Sequence, residues 1–355
     1  MLIHSPRTYK LVRPLFFALP PEAAQRAAHL ALKPTPLWRA VGSMIGVVDE
    51  ALNTTLCGIT LRNPIGLAAG FDKNCKMLPS LSALGFGYLV GGTVTLGSGN
   101  GNPRPRMIRR TSEESLVNSL GFPGRGLDWV AARLERSPKS RGSAPLVLSV
   151  SGTTVEEIVA CHRRLEPLAD AVEVNISSPN TAGLRVFHET AALAELVDRI
   201  NERRDKPLAV KLPPYSASDV EDAEVAERMT LVEACIDGGV EGVTVANSRP
   251  VSEPRLAVGQ GGLSGRAIFD ASLRMVADVR REAGPDIAIN ACGGISTGED
   301  AWRALKAGAT TVQLYTSMLY RGPGVVNYIN RGLLQAMAAD GVGSLQGLAS
   351  STGAP

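Results

Sequence analysis

The chain has 355 residues, 44% of them hydrophobic, so it can bury a large core. Its 37 basic and 34 acidic residues give a net charge of +3, too small to favour a nucleic-acid partner. Five scattered cysteines form no C-x-x-C pair, and the four histidines lack ligand spacing. We therefore expect no metal, no disulfide framework and a reducing compartment.

The N-terminal region begins polar and then carries short apolar pieces. The apolar run 15–19 is brief and is closed by Pro20-Pro21, which does not fit a signal peptide. No stretch approaches the ~20 apolar residues needed to cross a bilayer. We expect no membrane span, and association with a membrane surface is a separate question.

From residue 64 onward, short apolar runs alternate with amphipathic segments. Runs of this kind are typical of buried parallel strands, and they predict strands at 65–69, 88–94, 146–150, 171–176, 208–212, 242–246, 287–291 and 311–315. Helices are predicted at 154–165, 191–204, 219–237, 267–282, 298–307 and 325–339, with Thr154 and Glu157 at capping-box spacing. Eight alternations favour an α/β fold closed as a (β/α)8 TIM barrel. An open doubly wound sheet is disfavoured because no G-x-G-x-x-G follows the first strand.

Polar residues gather where the fourth predicted strand ends. The segment 173–181 passes from an apolar run into Asn175, two serines, a proline and Asn180. A self-bonded polar turn is one interpretation. Barrel enzymes, however, place their chemistry at the carboxyl ends of the strands. Across the eight ends, glycines, amides, hydroxyls and two lysines outnumber acids, which disfavours metal-assisted or two-carboxylate hydrolysis.

Glycines cluster after the last three strands. They stand at 261, 262 and 265 and at 293 and 294, and Tyr315-Thr316 follows the eighth strand. Glycines let backbone N–H groups approach an anion, and barrels often bind phosphate near strands seven and eight. The pattern indicates a phosphate site, although helix caps and turns would use glycine too.

Together these motifs resemble the dihydroorotate dehydrogenase family over roughly residues 50–335. The resemblance is carried by segments 63–74, 85–87, 92–95, 101–106, 175–181, 261–266 and 293–295. It implies an FMN-binding barrel at 46–340 that oxidises dihydroorotate to orotate in pyrimidine biosynthesis. It also implies an N-terminal helical extension at 1–45, and we expect a flexible tail at 341–355.

The resemblance also implies roles for individual residues. Ser178 would take the C5 proton while hydride passes from C6 to flavin N5. The implied substrate contacts are Lys73, Asn118, Asn175, Asn180, Asn247 and Ser248. The implied FMN contacts are Ala69, Gly70, Lys73, Thr93, Ser149, Asn175, Lys211, Gly262, Gly265, Gly293, Gly294, Tyr315 and Thr316.

Three further side chains bear on this chemistry. Lys211 would hold positive charge near flavin N1 and O2, or else form a structural salt bridge. Thr181 is a candidate to relay the proton. Ser177 is expected to point away, because neighbouring side chains on a strand face opposite sides.

Serine at 178 and the extension before residue 50 resemble the quinone-dependent class. That likeness implies that residues 1–45 form a cap that rests on a membrane and admits quinone, with Arg106 between flavin and tunnel. An amphipathic element can lie in an interface without spanning it. We expect a peripheral location on the cytoplasmic side of the inner or plasma membrane.

Some positions depart from that class. Residues 146–154 are more like the cysteine-base classes, and Ser149 replaces an amide. Pro123-Gly124 stands where two asparagines are common, and Gln25 where the cap often has histidine, with His29 one turn away. Because of these departures, the identity of the electron acceptor stays open. A related FMN dehydrogenase that acts on another dihydro-heterocycle also stays open. An alternative from a different enzyme class is a barrel aldolase that uses Lys211 as its Schiff-base lysine. A non-catalytic protein with the same fold is a further alternative.

Overall fold

The computed structural model describes residues 6–136, 142–181 and 183–352. The strands are β1 Thr54–Leu56, β2 Ile59–Leu61, β3 Ile65–Leu67, β4 Tyr88–Val94, β5 Met107–Arg110, β6 Ser115–Asn118, β7 Leu146–Val150, β8 Ala171–Asn175, β9 Leu208–Lys211, β10 Gly242–Val245, β11 Arg249–Ser252, β12 Gln260–Gly265, β13 Ala288–Cys292 and β14 Thr311–Leu314. The helices are α1 Pro6–Phe17, α2 Pro21–Ala31, α3 Thr35–Ile45, α4 Leu78–Ala83, α5 Leu127–Arg136, α6 Val155–Leu165, α7 Thr190–Asn201, α8 Asp222–Asp237, α9 Phe269–Ala283, α10 Gly298–Lys306, α11 Thr316–Arg321, α12 Val325–Ala339 and α13 Leu345–Thr352.

Eight parallel strands close into a barrel in the order β3-β4-β7-β8-β9-β10-β13-β14. The predicted (β/α)8 barrel is confirmed, and every predicted strand matches an observed one to within about two residues at each end. β4 is buried along its whole length. That is expected of a parallel strand with side chains packed on both faces, and it explains why an unbroken apolar run identified it.

The capping-box spacing before α6 is only half used. Thr154 Oγ1 accepts from the Glu157 backbone N–H at 3.3 Å, as predicted. The Glu157 carboxylate accepts instead from the Thr153 backbone N–H at 2.7 Å. A complete capping box starts α10, where Thr297 and Asp300 satisfy each other's backbone donors.

Two small antiparallel sheets were not predicted. The hairpin β1–β2 closes one end of the barrel, where Leu56 and Leu61 pack with Tyr88 and Val147. The sheet β11-β12-β6-β5 is built from the segments that follow β4 and β10. Because those segments leave the carboxyl ends of barrel strands, this sheet lies at the functional end and brings Asn118, the last residue of β6, to it.

The first three helices form a cap fastened to the barrel by polar side chains. Arg109 on β5 donates to the carbonyls of Phe16, Phe17 and Leu19 near the end of α1, at 3.0–3.4 Å. It also lies over the Phe17 ring, 4.6 Å from the centroid. The predicted N-terminal helices are therefore present and end at Ile45. Within the described residues, no helix combines the length and apolar character that a membrane crossing requires.

The predicted tail needs correction. Residues 345–352 form α13, and Leu345 is buried in the main core. The last three residues, 353–355, lie outside the described part of the chain. The small and polar residues of this segment show no clear helical period, so the sequence pattern does not reveal the helix.

Candidate functional site

A cleft of about 130 Å³ opens at the carboxyl end of the barrel. It gathers amides, hydroxyls and two lysines from strands that are far apart in sequence. The predicted residues that line it are Ala69, Gly70, Lys73, Thr93, Asn118, Asn175, Ser178, Asn180, Lys211, Asn247, Ser248 and Tyr315. All predicted substrate contacts are among them, so the barrel brings together what the sequence scattered.

The four asparagines are arranged as two pairs. Asn247 Nδ2 donates to Asn175 Oδ1 at 3.1 Å, and Asn180 Nδ2 donates to Asn118 Oδ1 at 3.2 Å. Asn102 was not predicted, yet its amide donates to the Asn180 backbone carbonyl at 3.2 Å and anchors the loop after β8. Paired amides keep fixed orientations, and each retains donors and acceptors for a heteroatom-rich ligand.

Ser177 does not line the cleft, in keeping with the expectation that it takes no direct part. Its hydroxyl donates to the Lys211 carbonyl at 2.9 Å and accepts from Asn247 Nδ2 at 3.1 Å. It therefore supports the amide wall. Ser178 lines the cleft, and its Oγ accepts weakly from the Asn180 backbone N–H at 3.4 Å. Thr181 Oγ1 is buried without a hydrogen-bond partner among the described residues.

Thr93 and Ser149 form a support beneath the cleft. Asn175 Nδ2 donates to Thr93 Oγ1 at 3.3 Å, and Thr93 and Ser149 share a 3.0 Å hydrogen bond. Ser149 is fully buried, and its side chain is bonded to Thr93. Its observed role is to hold Thr93, and the FMN contact that the resemblance implies stays a prediction.

The two lysines sit in contrasting electrostatic surroundings. Burial, aided by Arg106, lowers the pKa of Lys73 to about 8. Burial also lowers the pKa of Lys211, but attraction to Cys292 and Glu173 more than offsets this, so its pKa is raised. Lys211 Nζ lies 3.8 Å from Cys292 Sγ. Lys211 is thus a permanent cation at neutral pH, whereas Lys73 can lose its proton in the mildly alkaline range.

A second cavity, of about 60 Å³, is lined by Thr316 and by three of the predicted glycines. Gly265, Gly293 and Gly294 line it. Gly294 has φ of 76°, and a Cβ there would lie 2.8 Å from the Phe269 backbone nitrogen, so only glycine fits. Gly262 does not line this cavity; it lies beside Ser248, and its carbonyl accepts from Asn118 on the amide side.

Hydrogen-bond donors without acceptors lie at this second cavity, and a bound anion could satisfy them. Among the described residues, Ser317 Oγ and Arg321 Nε are buried and make no hydrogen bond. Buried donors of this kind are normally satisfied, so a ligand with acceptor oxygens is the natural partner. The donors and close backbone approach fit the phosphate end of a flavin mononucleotide.

A third, apolar cavity of about 520 Å³ lies between the cap and the barrel. It is lined by aliphatic and aromatic side chains of α1–α3 and ends at Phe71 and Tyr315, whose rings meet edge-on at 5.6 Å. The His29 ring lies tilted against that of Phe71, 5.6 Å between centroids. Burial, with Lys73 and Lys76, lowers the pKa of His29 to about 4, so it is neutral at neutral pH.

Arg106, which the resemblance places between the flavin and a quinone tunnel, does not itself line the apolar cavity. It lines an adjoining polar cavity of about 620 Å³, which Lys73 also lines. Its guanidinium bonds to Glu22 on α2 at 3.2 Å and to the Asn100 carbonyl at 2.6 Å. Its observed role is to fasten the cap beside the cleft. Among the described residues, no group of three or more histidine, cysteine or acidic side chains is placed to hold a metal.

Comparison with known proteins agrees with this geometry. The family model described as dihydroorotate dehydrogenase matches residues 51–337. The chain is 36% identical to "Dihydroorotate dehydrogenase (quinone)" of Roseiflexus sp. strain RS-1, covering 95% of this chain and 96% of the relative. The protein of the same name from Natronomonas pharaonis is also 36% identical, with coverages of 95% and 97%.

Solved structures of similar fold include the DHODH of Eimeria tenella. Its ligand-free form superposes with a TM-score of 0.78 at 29% identity, covering 90% of this chain and 97% of that chain. The form in complex with ferulenol gives a TM-score of 0.76, with coverages of 89% and 94%.

Proposed function

The chain belongs to the dihydroorotate dehydrogenase family and to its quinone-dependent class. We propose that it uses FMN to oxidise dihydroorotate to orotate and passes the electrons to a quinone. The family predicted from the motifs is thereby confirmed, and the protein is an oxidoreductase of pyrimidine biosynthesis. FMN as the flavin, the roles of the individual residues and the membrane location are our proposals.

The observation that carries the proposal is the position of Tyr315. This one side chain lines the amide cleft, the glycine-lined cavity and the apolar cavity. A planar ring in the cleft would thus have its phosphate in the glycine-lined cavity and one edge at the end of the apolar cavity. An oxidisable substrate on one side and an apolar acceptor on the other is the arrangement that a quinone-linked flavoenzyme needs.

Each polar group in the cleft has a task in this proposal. The asparagines would hold the pyrimidine ring, and much of the rate would come from such placement. Lys73 would attract the substrate carboxylate, and Ser178 would take the C5 proton, with Thr181 as its relay. Lys211 would keep a positive charge where negative charge develops. When bound, FMN would accept the hydride from C6.

The proposal is tested by colour and by acceptor preference. The purified protein should be yellow, and dihydroorotate should bleach it anaerobically. Turnover with quinone should exceed turnover with fumarate or NAD measured side by side. A colourless protein trapped by borohydride with a carbonyl substrate would instead support the aldolase. The raised pKa of Lys211 argues against that alternative, because a Schiff-base lysine must be deprotonated to attack.

Lys73 should make kcat/KM for dihydroorotate fall at alkaline pH. Because its pKa is lowered to about 8, it carries a charge below that pH and loses it above. We therefore expect kcat/KM for dihydroorotate to fall as the pH rises through about 8, mainly through KM. Lys73→Arg, which stays charged, should move this fall to higher pH. An unshifted fall in the arginine variant would contradict the assignment.

We also propose peripheral membrane association through the cap, on the cytoplasmic face. Among the described residues of the first 48 positions, seven large apolar side chains are exposed: Leu11, Leu15, Leu19, Leu30, Leu37, Met44 and Val48. An apolar patch of this kind suits a lipid surface. The five free thiols are typical of a reducing compartment, which favours the cytoplasmic face.

Charge on the α1 surface should abolish lipid binding. Leu11 and Leu15 lie one helical turn apart and are each 72% exposed. The double variant Leu11→Glu, Leu15→Glu should cosediment at least tenfold less with phospholipid vesicles, since each buried leucine stabilises by roughly 1.5–3 kcal/mol. Val258→Glu, at an exposed apolar site on the loop between β11 and β12, should bind as the wild type does. Equal binding by the double variant would contradict the cap as the docking face.

A further inference from the structure

A carboxylate lies buried inside the barrel, one layer below the cleft. Glu173 is on β8, two residues before Asn175, and is 1% exposed. Residues two apart on a strand share a face, so both side chains point to the barrel interior. Barrel interiors are usually filled by branched apolar residues, so an acid in this position needs a reason.

The hydrogen bonds around Glu173 do not supply that reason. One carboxylate oxygen accepts from Thr244 Oγ1 at 2.8 Å, and Thr244 in turn accepts from Asn290 Nδ2 at 3.3 Å. The other oxygen is buried and has no hydrogen-bond partner among the described residues. A neutral amide would satisfy the same threonine, and leaving a buried carboxylate oxygen unpaired is unfavourable. What distinguishes the acid is its charge.

That charge acts on Lys211. Strand pairing aligns Lys211 with Asn175 on one side and with Thr244 on the other, which brings the Thr244-bound carboxylate to the layer beneath the ammonium. Cys292, whose Sγ lies 3.8 Å from the ammonium, and then Glu173 raise the pKa of Lys211. Of these two partners, Glu173 is the carboxylate.

We propose that Glu173 is a positioning residue whose negative charge offsets part of the positive potential that Lys211 applies to the flavin. The inference rests on the proposed function. A lone buried lysine would stabilise the reduced, anionic flavin strongly and would slow its reoxidation. A carboxylate beneath the lysine moderates this stabilisation, so that the flavin can both take electrons from dihydroorotate and release them to quinone.

Two variants separate charge from shape. Glu173→Gln removes the charge and keeps the size and the bond to Thr244, whereas Glu173→Asp keeps the charge and shortens the side chain. The readouts are the flavin midpoint potential and the dissociation constant of sulfite, which adds reversibly to flavins and binds more tightly near positive charge. We expect Glu173→Gln to tighten sulfite binding about tenfold and to raise the potential correspondingly, by about 30 mV for a two-electron couple.

The charged variant should behave differently. Glu173→Asp should remain within about threefold of the wild type in sulfite affinity, although its thermal stability falls further than that of Glu173→Gln. A purely structural role predicts the reverse order, with aspartate the more perturbed in both readouts. Equal values for Glu173→Gln and wild type would overturn the proposal. So would loss of the flavin from Glu173→Gln alone, because removing an anion should not weaken binding of an anionic cofactor.

Failure of this inference is distinct from failure of the proposed function. A wild-type protein without flavin colour would overturn the proposed function, and with it the premise of the test. A yellow wild-type protein that dihydroorotate bleaches, together with an unshifted Glu173→Gln variant, would overturn the role of Glu173 alone.

Discussion

Replacing Ser178 with alanine should slow reduction of the flavin by dihydroorotate roughly 10²–10⁴-fold, the usual contribution of a positioned base. The hydroxyl lines the cleft beside the two asparagine pairs, and it holds only a weak 3.4 Å contact with the Asn180 backbone. Its removal should therefore leave the fold and the flavin content intact. Anaerobic stopped-flow bleaching of the flavin measures the step directly, without any acceptor.

Ser177→Ala is the matched control for that experiment. Ser177 is fixed to the Lys211 carbonyl and to Asn247, so its loss should disturb substrate orientation and raise KM. We expect a smaller effect on the rate of bleaching at saturating substrate than for Ser178→Ala. Bleaching of the Ser178→Ala protein within about tenfold of the wild-type rate would remove Ser178 as the base.

Much of the barrel could be predicted because each strand and helix has a hydrophobic pattern within its own segment of the sequence. Each strand is buried on both faces and so takes the form of a short apolar run, and each run is followed by an amphipathic segment of helical period. Once the strands are known, their carboxyl ends must meet at one end of a closed parallel barrel. This rule alone brings Asn175, Lys211 and Asn247 together, although 72 residues separate the two asparagines.

Two details of the site were not predicted from the sequence, and each has a physical reason. Strand alternation predicted that Ser177 takes no direct part, but β8 ends at Asn175 and alternation does not extend past the end of a strand, so the bonds of Ser177 to Lys211 and Asn247 could not be foreseen. Gly262 belongs to a glycine run that resembles an anion-binding loop. It lies instead in β12, where a Cβ would come within 2.0 Å of Ser248 Oγ. A glycine needed for close packing and one needed for an anion look alike in a sequence.

The antiparallel sheet was missed for another reason. β5, β6 and β11 have four residues each, and the exposed and half-buried residues of β11 alternate without an apolar run. Such strands are defined by their partners rather than by their own composition. The position of Glu173 could have been noticed in the sequence. It is a charged residue within an apolar run, and it lies two residues before Asn175, so the two side chains face the same side of the strand.

Filling the apolar cavity should separate quinone reduction from dihydroorotate oxidation. Ala28 on α2 lines the cavity, as does Tyr315. A tryptophan at this position would occupy much of the path by which a quinone reaches the end of the cavity. We expect Ala28→Trp to lower quinone-dependent kcat/KM at least tenfold, while anaerobic bleaching of the flavin by dihydroorotate stays within about twofold.

The control uses the same helix and the same substituent. Leu30 is 60% exposed and lies outside the cavity, so Leu30→Trp should retain quinone turnover. Overpacking alone costs about 1–3 kcal/mol, so thermal unfolding of both variants must be followed. Equal quinone kinetics in the two folded variants would show that the quinone reaches the flavin by another route. A loss confined to Ala28→Trp would instead make the cap the entrance, since the chemistry in the cleft would be untouched.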